Sequence, residues 1–159
     1  MRLVGFVHFL QGQVNDFLSE VIPETGRSYD PEGKDKDLSD IANNFRHFWI
    51  MVDDEQKIIG TIAIADVIFD EKYAESLHRN SGELKCMYLD KNFRGLGYGE
   101  KMLSFAIDQA RSFGYNWLYV DSDACPGHIT NERYIEFGFE TISRYNNNPD
   151  AELHYRLKL

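Results

Sequence analysis

Cysteine is scarce in this chain. Cys86 and Cys125 are the only two in 159 residues, too few for a disulfide framework and suited to reduced thiols in a cell interior. No apolar run reaches the length of a membrane span, and the N-terminal MRLVGFVHFLQGQ lacks the small-residue cleavage site of a secretory signal, so a cytoplasmic protein without a membrane partner is expected. Positive charge is in deficit: 17 basic against 26 acidic residues give a net charge of -9. That balance argues against nucleic acid as a partner and favours a cationic substrate. The five histidines show no H-E-x-x-H or clustered spacing, which speaks against a metal site. Cys125 and His128 stand three residues apart beside Pro126, a spacing too common to specify a thiol nucleophile. No repeat, low-complexity tract or linker interrupts the chain. With 43% hydrophobic and 14% aromatic residues, residues 1–159 can bury a sizeable core as a single domain.

The stretch KNFRGLGYGEKML, Lys91 to Leu103, carries the strongest chemical signal. Glycines at 95, 97 and 99 can take backbone angles closed to other residues, and their bare main chain lets N-H groups approach an anion. The first turn of the helix that follows leaves four donors free, and its dipole adds roughly half a positive charge. A phosphate fits there, with the Arg94 guanidinium offering a fork of donors to a second oxygen. Lys91 and Lys101 add positive charge around the loop, and Glu100 offsets part of it. A dinucleotide fingerprint G-x-G-x-x-G fails, because the sixth place from Gly95 is Glu100 and about sixty residues follow, too few for two mononucleotide halves. A Walker loop fails as well, since Gly99-Glu100-Lys101-Met102 is not G-K-[ST].

Hydrophobic spacing outlines the elements around this loop. Val14, Phe17, Leu18 and Val21 lie on one helical face that Pro23 and Gly26 terminate, and the first residues can supply a short strand. Residues 23–37 read as a loop, with Asp37 placed to cap a helix from Leu38 to about Phe45. Phe48 to Val52 and Ile58 to Val67 form a hairpin around Asp53-Asp54-Glu55-Gln56, and residues 70–81 make a polar connection. Glu83 to Leu89 is a strand, about Gly97 to Phe113 a helix, and Trp117 to Val120 a further strand. About Ile129 to Phe137 is a helix closed by Gly138. Thr141 to Tyr145 and Leu153 to Leu159 complete a final hairpin.

R-x-x-G-x-G at Arg94, Gly97 and Gly99 resembles the acyl-CoA pyrophosphate loop of the GNAT superfamily of N-acetyltransferases. The resemblance covers almost the whole chain and is strongest from Gly82 to Phe139, where ELKCMYLDKNFRGLGYGEKML and RYIEFGF are similar to the central and C-terminal motifs of the family. YDPEGKDKDL and RYNNNPD also resemble a subgroup of small bacterial acetyltransferases. It implies an α/β (α+β) fold, a mixed central sheet of about six to seven strands flanked by about four helices. It further implies acetyl-CoA as co-substrate, with the pantetheine arm held by the main chain of Met87, Tyr88 and Leu89 between two splayed strands. The pyrophosphate would lie on Arg94, Gly95, Leu96, Gly97, Tyr98, Gly99 and Glu100. Homodimers are frequent among similar proteins.

Amide formation needs a neutral amine, and freeing a lysine-like amine of pKa about 10.4 at neutral pH costs roughly 4 to 5 kcal/mol. Glu83 stands eleven residues before Arg94, the spacing at which the resemblance implies a general base, acting directly or through a water; Asp121 and Ser122 are the alternatives for holding that water. Tyr134, four residues before Gly138, occupies the place of the general acid that protonates the departing thiolate. Where many members carry a cofactor-touching asparagine, seven residues earlier, this chain has Gly127. By the topology of the family, Tyr29, Asp30, Glu32 and Asp35 would face Tyr145 and Asn146 at the acceptor end, an acidic and aromatic wall for the ammonium of a small molecule or peptide. Three functions remain open: an N-acetyltransferase, a non-catalytic acyl-CoA sensor, or an interaction module.

Overall fold

A computed structural model describes residues 1–67, 72–73, 78–122 and 131–159 of the chain. Strand β1 (Arg2–Gly5) leads into helix α1 (Gln11–Val21). The apolar face expected for α1 is the face it buries: Val14, Phe17, Leu18 and Val21 are all removed from solvent. Pro23 opens a 3-10 turn (Pro23–Thr25), and Gly26 at φ 88° turns the chain away, a conformation that favours glycine. Where one helix was expected from Leu38, the chain makes a 3-10 turn (Lys36–Asp40) and then a single turn of helix, α2 (Ile41–Asn44). Asp37 caps neither. Asp35 precedes the first turn, but its carboxylate is engaged elsewhere, by Arg27.

The remaining strands are β2 (His47–Val52), β3 (Ile58–Asp66), β4 (Ser81–Leu89), β5 (Trp117–Ser122), β6 (Glu140–Thr141) and β7 (Leu153–Lys158). Between them run α3 (Tyr98–Ser112) and α4 (Asn131–Glu136). Together they form one mixed seven-stranded sheet in the order β1-β2-β3-β4-β5-β7-β6. Every neighbouring pair is antiparallel except β4 with β5, which α3 connects. The sheet is covered on both faces. On one side lie α1 and the α2 segment, burying Val14, Leu18, Ile22 and Ile41 against Phe48, Ile50 and Ala63. On the other lie α3 and α4, with Met102, Leu103, Ala106 and Ile107 against Met51, Ile62, Ile64 and Leu118. Each of the larger of these side chains contributes about 1.5–3 kcal/mol by leaving water. Double coverage explains why β2 reads as a nearly continuous apolar run, HFWIMV, instead of alternating.

Two local irregularities in the middle of the sheet position everything that follows. In β4 an extra residue bulges out: Thr61 faces Tyr88 and Ala63 faces Lys85, so two steps on β3 match three on β4. Cys86 takes up the slack at φ 54°, and the Thr61 hydroxyl donates to its carbonyl at 2.8 Å. The second irregularity is the early end of the parallel pair. Only Ser81, Gly82 and Glu83 pair with Trp117, Leu118 and Tyr119, although β4 continues to Leu89 and β5 continues to Ser122 on its other edge. A bulge increases local twist and bends its strand. Beyond Glu83 the facing edges of β4 and β5 are therefore open, the splay the resemblance implied.

The final hairpin departs from the expectation. Its first strand is Glu140–Thr141 alone, not Thr141 to Tyr145. After Ile142 the chain leaves the sheet edge because Tyr145 turns inward, fully buried with its ring 5.1 Å from that of Tyr119. The readings of Cys125, Gly127 and His128, of the start of the helix at Ile129, and of half of the 70–81 connection lie outside the described residues.

Candidate functional site

The open edge of β4 forms one wall of a cleft of about 590 Å³. Leu84 to Leu89 line it on one side and Val120, Asp121 and Ser122 on the other. The glycine loop closes one end, and residues 27–38 with Asn148 and Asp150 close the other.

At the loop end the expectation is refined glycine by glycine. Gly95 and Gly97 adopt φ of 72° and 82°, in the left-handed region, and Gly97 is the residue that starts α3. Gly99 is an ordinary second residue of α3 and does not need that conformation; it lines the cleft, so its missing side chain matters as clearance. Nothing lies within 4 Å of a Cβ built on Gly95 or Gly97. The space in front of the first turn of α3 is thus clear where its N-H groups lack intrahelical partners. Leu96 and Tyr98 turn their side chains away: Leu96 is exposed and the Tyr98 ring packs on Phe93 at 6.2 Å. They offer main chain only.

The charges around the loop are arranged differently from the expectation. The Arg94 guanidinium donates to the Leu89 carbonyl at 2.9 Å and pairs with Glu24 at 2.6 Å. Lys91 meets the other oxygen of Glu24 at 3.3 Å. Lys101 points away and donates to the Met1 carbonyl at 3.0 Å. Glu100 is paired with Arg133 of α4 at 3.2 Å, and both line the cleft. Glu24 and Arg133 were not legible in the sequence, because each reaches the loop from a distant segment. The Arg94 and Glu24 side chains are each about a quarter exposed, and pairs in such settings contribute only about 0–1 kcal/mol. We expect Glu24→Gln to tighten CoA binding by up to about fivefold, measured by titration calorimetry. Unchanged or weaker binding would mean that Glu24 holds Arg94 in place for the ligand.

The middle of the cleft carries the ionisable groups. Tyr134 lines it from α4, 5% exposed, with its ring between Phe139 at 5.4 Å and Tyr155 at 5.2 Å. Glu83 is 4% exposed and lies behind the cleft wall. One of its oxygens accepts from the Tyr145 hydroxyl at 2.8 Å and from the Asn146 amide at 3.2 Å, and the other meets the Lys85 ammonium at 3.1 Å. Asn146 also donates to Asp121 at 2.6 Å, and Asn148 donates to the same oxygen at 3.0 Å. Burial first, then the neighbouring Glu83 charge, push the Tyr145 hydroxyl well above its ordinary value, so it stays a donor. Burial works against the Lys85 charge, but Glu83 outweighs it, and Lys85 is held above its ordinary value. Lys85 and Asn148 were missed in the sequence, and Asn146, expected at the acceptor end, instead bridges Glu83 and Asp121.

The acidic wall does not form as expected. Of Tyr29, Asp30, Glu32 and Asp35, Asp35 alone lines the cleft. Arg27 binds its carboxylate with two bonds of 2.9 and 3.0 Å and donates to the Tyr88 hydroxyl at 2.6 Å. Asp30 accepts from the Gly33 amide of its own turn, and Glu32 points to solvent. Tyr145 and Asn146 serve Glu83. The opposite loops do meet, through Lys34 and Asp150 at 3.2 Å. Loss of water pushes the Tyr88 hydroxyl and the Cys86 thiol each up to about 12; Cys86 is no nucleophile at neutral pH.

An open strand edge beside an anion-binding loop, with a buried tyrosine facing it, is an acyl-CoA cleft. The acetyltransferase (GNAT) family profile matches residues 14–139. The chain belongs to the GNAT acetyltransferase family. A GNAT acetyltransferase from Staphylococcus aureus Mu50 superposes with a TM-score of 0.78 at 22% identity, over 99% of this chain and 98% of that one. An acetyltransferase from Streptococcus agalactiae gives 0.78 at 17%, over 99% and 98%. YhbS from Escherichia coli, solved with CoA, gives 0.67 at 19%, over 98% and 80%. No curated protein matches the sequence. Acetyl-CoA is the co-substrate of this acetyltransferase, and its residues fit that molecule: glycine-cleared donors for the pyrophosphate and, for the pantetheine amides, a strand edge that does not pair with β5 beyond Glu83. Among the described residues no group of three His, Cys, Asp or Glu is placed to hold a metal ion, and no helix is long and apolar enough to cross a membrane.

Proposed function

We propose that this protein is an N-acetyltransferase that passes the acetyl group of acetyl-CoA to the primary amine of a small molecule or peptide, by direct attack in a ternary complex. One observation supports this reading: a single cleft is lined by the open edge of β4, the glycine loop, Tyr134, Lys85 and Asp121, with Glu83 paired to Lys85. Acetyl-CoA supplies the activated acyl carbon. The Met87, Tyr88 and Leu89 main chain orients the pantetheine arm as a half-strand, and Arg94 with the 95–100 loop grips the diphosphate. Asp121, on the cleft wall, receives the ammonium of the acceptor. Glu83 takes its proton, directly when Lys85 moves aside or through a water held by Asp121 and Ser122. Tyr134 donates to the departing sulfur. Acidic and basic side chains share the acceptor end, with Asp35, Asp37 and Asp150 beside Arg27 and Lys34, an arrangement suited to an amine that also bears a polar or acidic group. In keeping with this, a family relative from Neisseria gonorrhoeae, N-acetylglutamate synthase, was solved with CoA and N-acetyl-glutamate; this chain spans 35% of that protein.

A second reading, an acyl-CoA sensor, is favoured by the Lys85 ammonium that covers Glu83. Two measurements separate them. At about 100 times its dissociation constant CoA stabilises the fold by about 2.7 kcal/mol, read as a thermal shift. A screen of amines with free-CoA detection then finds turnover. A shift without turnover on any amine leaves the sensor; no shift removes both readings.

A further inference from the structure

Lys85 is the one ionisable group of the cluster that the proposed reaction does not use. It leaves β4 beside the bulged Cys86, immediately before the residues that face the pantetheine arm, and its half-buried side chain lines the cleft. Its ammonium rests 3.1 Å from Glu83, the place an acceptor ammonium takes when it surrenders its proton to that carboxylate. Asp121, from the opposite strand, adds a second negative charge. Lys34, the other lysine on the described cleft wall, is held at its mouth by Asp150. A lysine on four flexible methylenes, seated against the base and next to the thioester channel, is an amine substrate already in the site.

We infer that the Lys85 ε-amine is itself an acetyl acceptor, so that the enzyme loaded with acetyl-CoA and given no external amine acetylates its own cleft. The inference rests on the proposed function and on the same Glu83 and Tyr134. Lys85 gives one proton to Glu83, and its freed lone pair forms the N–C bond to the acyl carbon as the C–S bond breaks. Tyr134 protonates the departing thiolate and recovers a proton from the nitrogen. Glu83 passes its proton to water. The products are one N-acetyl-lysine, CoA and one proton, and no further reactant is needed. Acetylation removes the charge that pairs with Glu83 and fills the acceptor end of the cleft with an amide.

The test uses the full chain incubated with acetyl-CoA alone, followed by intact mass and peptide mapping, with CoA thermal shift measured on the same sample. Orientation in the cleft is expected to make Lys85 gain its acetyl group at least about tenfold faster than the exposed Lys57. Tyr134→Phe is expected to slow Lys85 and leave Lys57 unaffected. Equal rates at the two lysines, or a Lys85 rate indifferent to Tyr134→Phe, in a sample that shows the CoA shift overturn self-acetylation while the acetyltransferase reading stands. Absence of the shift overturns both.

Discussion

Replacing Tyr134 with phenylalanine lowers turnover by about 100-fold or more and leaves the CoA dissociation constant within about twofold. The asymmetry follows from where the side chain sits. Its ring is clamped between Phe139 and Tyr155 and is 5% exposed, and phenylalanine preserves that packing. Only the hydroxyl of this cleft-lining residue is lost, the group proposed to protonate the thioester sulfur. Transfer from a phenol near pKa 10 to a thiolate whose acid is near 8.5 is uphill by about 2 kcal/mol. Close placement must supply the gain, and a water in place of the hydroxyl is less well placed. Steady-state kinetics with free-CoA detection, together with calorimetry, check the pair of numbers. Equal loss of turnover and affinity would reduce Tyr134 to a packing residue.

Glu83→Gln has the second large effect, and it acts on two quantities. The amide oxygen can still accept from Tyr145 and Asn146, but its NH2 group then faces the Lys85 ammonium where an oxygen stood 3.1 Å away. Two donors meet with no acceptor between them. Lys85 retains partial access to water, so the stability cost is about 1–2 kcal/mol, a fall of about 3–6 °C in Tm for a chain of this size. Turnover falls by about 100-fold, and the rise of kcat/KM with pH flattens, because no group remains to collect the proton of the amine. A lowered Tm with an unaltered pH profile would leave Glu83 as the buried partner of Lys85 and Tyr145, and would move the base to Asp121.

Much of the fold was readable along the chain. α1 buries the apolar positions its spacing marks, α3 falls within one residue of its expected span, and the boundaries of β2, β3 and β4 fall within two residues of the expected ones. The misreadings occur where one side chain is drawn out of register by a distant partner. Tyr145 abandons the edge strand for Tyr119 and Glu83, and Asp35, expected in an acidic wall, is taken up by Arg27. Neither pull has a local periodicity. The site divides in the same way. Gly95 and Gly97 could be placed in advance because a left-handed backbone angle selects glycine, a choice visible at the position itself. Glu24, Lys85, Arg133 and Asn148 could not, since a salt bridge or shared amide across the fold selects only a charge or a donor, and the chain has many of each.

Taken alone, the order of residues determined the element sequence, the anion-binding turn at the start of α3 and membership in the acetyltransferase family, because each depends on neighbours within one helix, strand or loop. Tertiary structure alone decided that β4 and β5 part after Glu83, that Glu24 occupies Arg94 and Lys91, and that Lys85 stands between Glu83 and the cleft. Those arrangements are set by packing and charge between residues far apart in the chain, where contact is a property of the folded surface and leaves no period or motif behind.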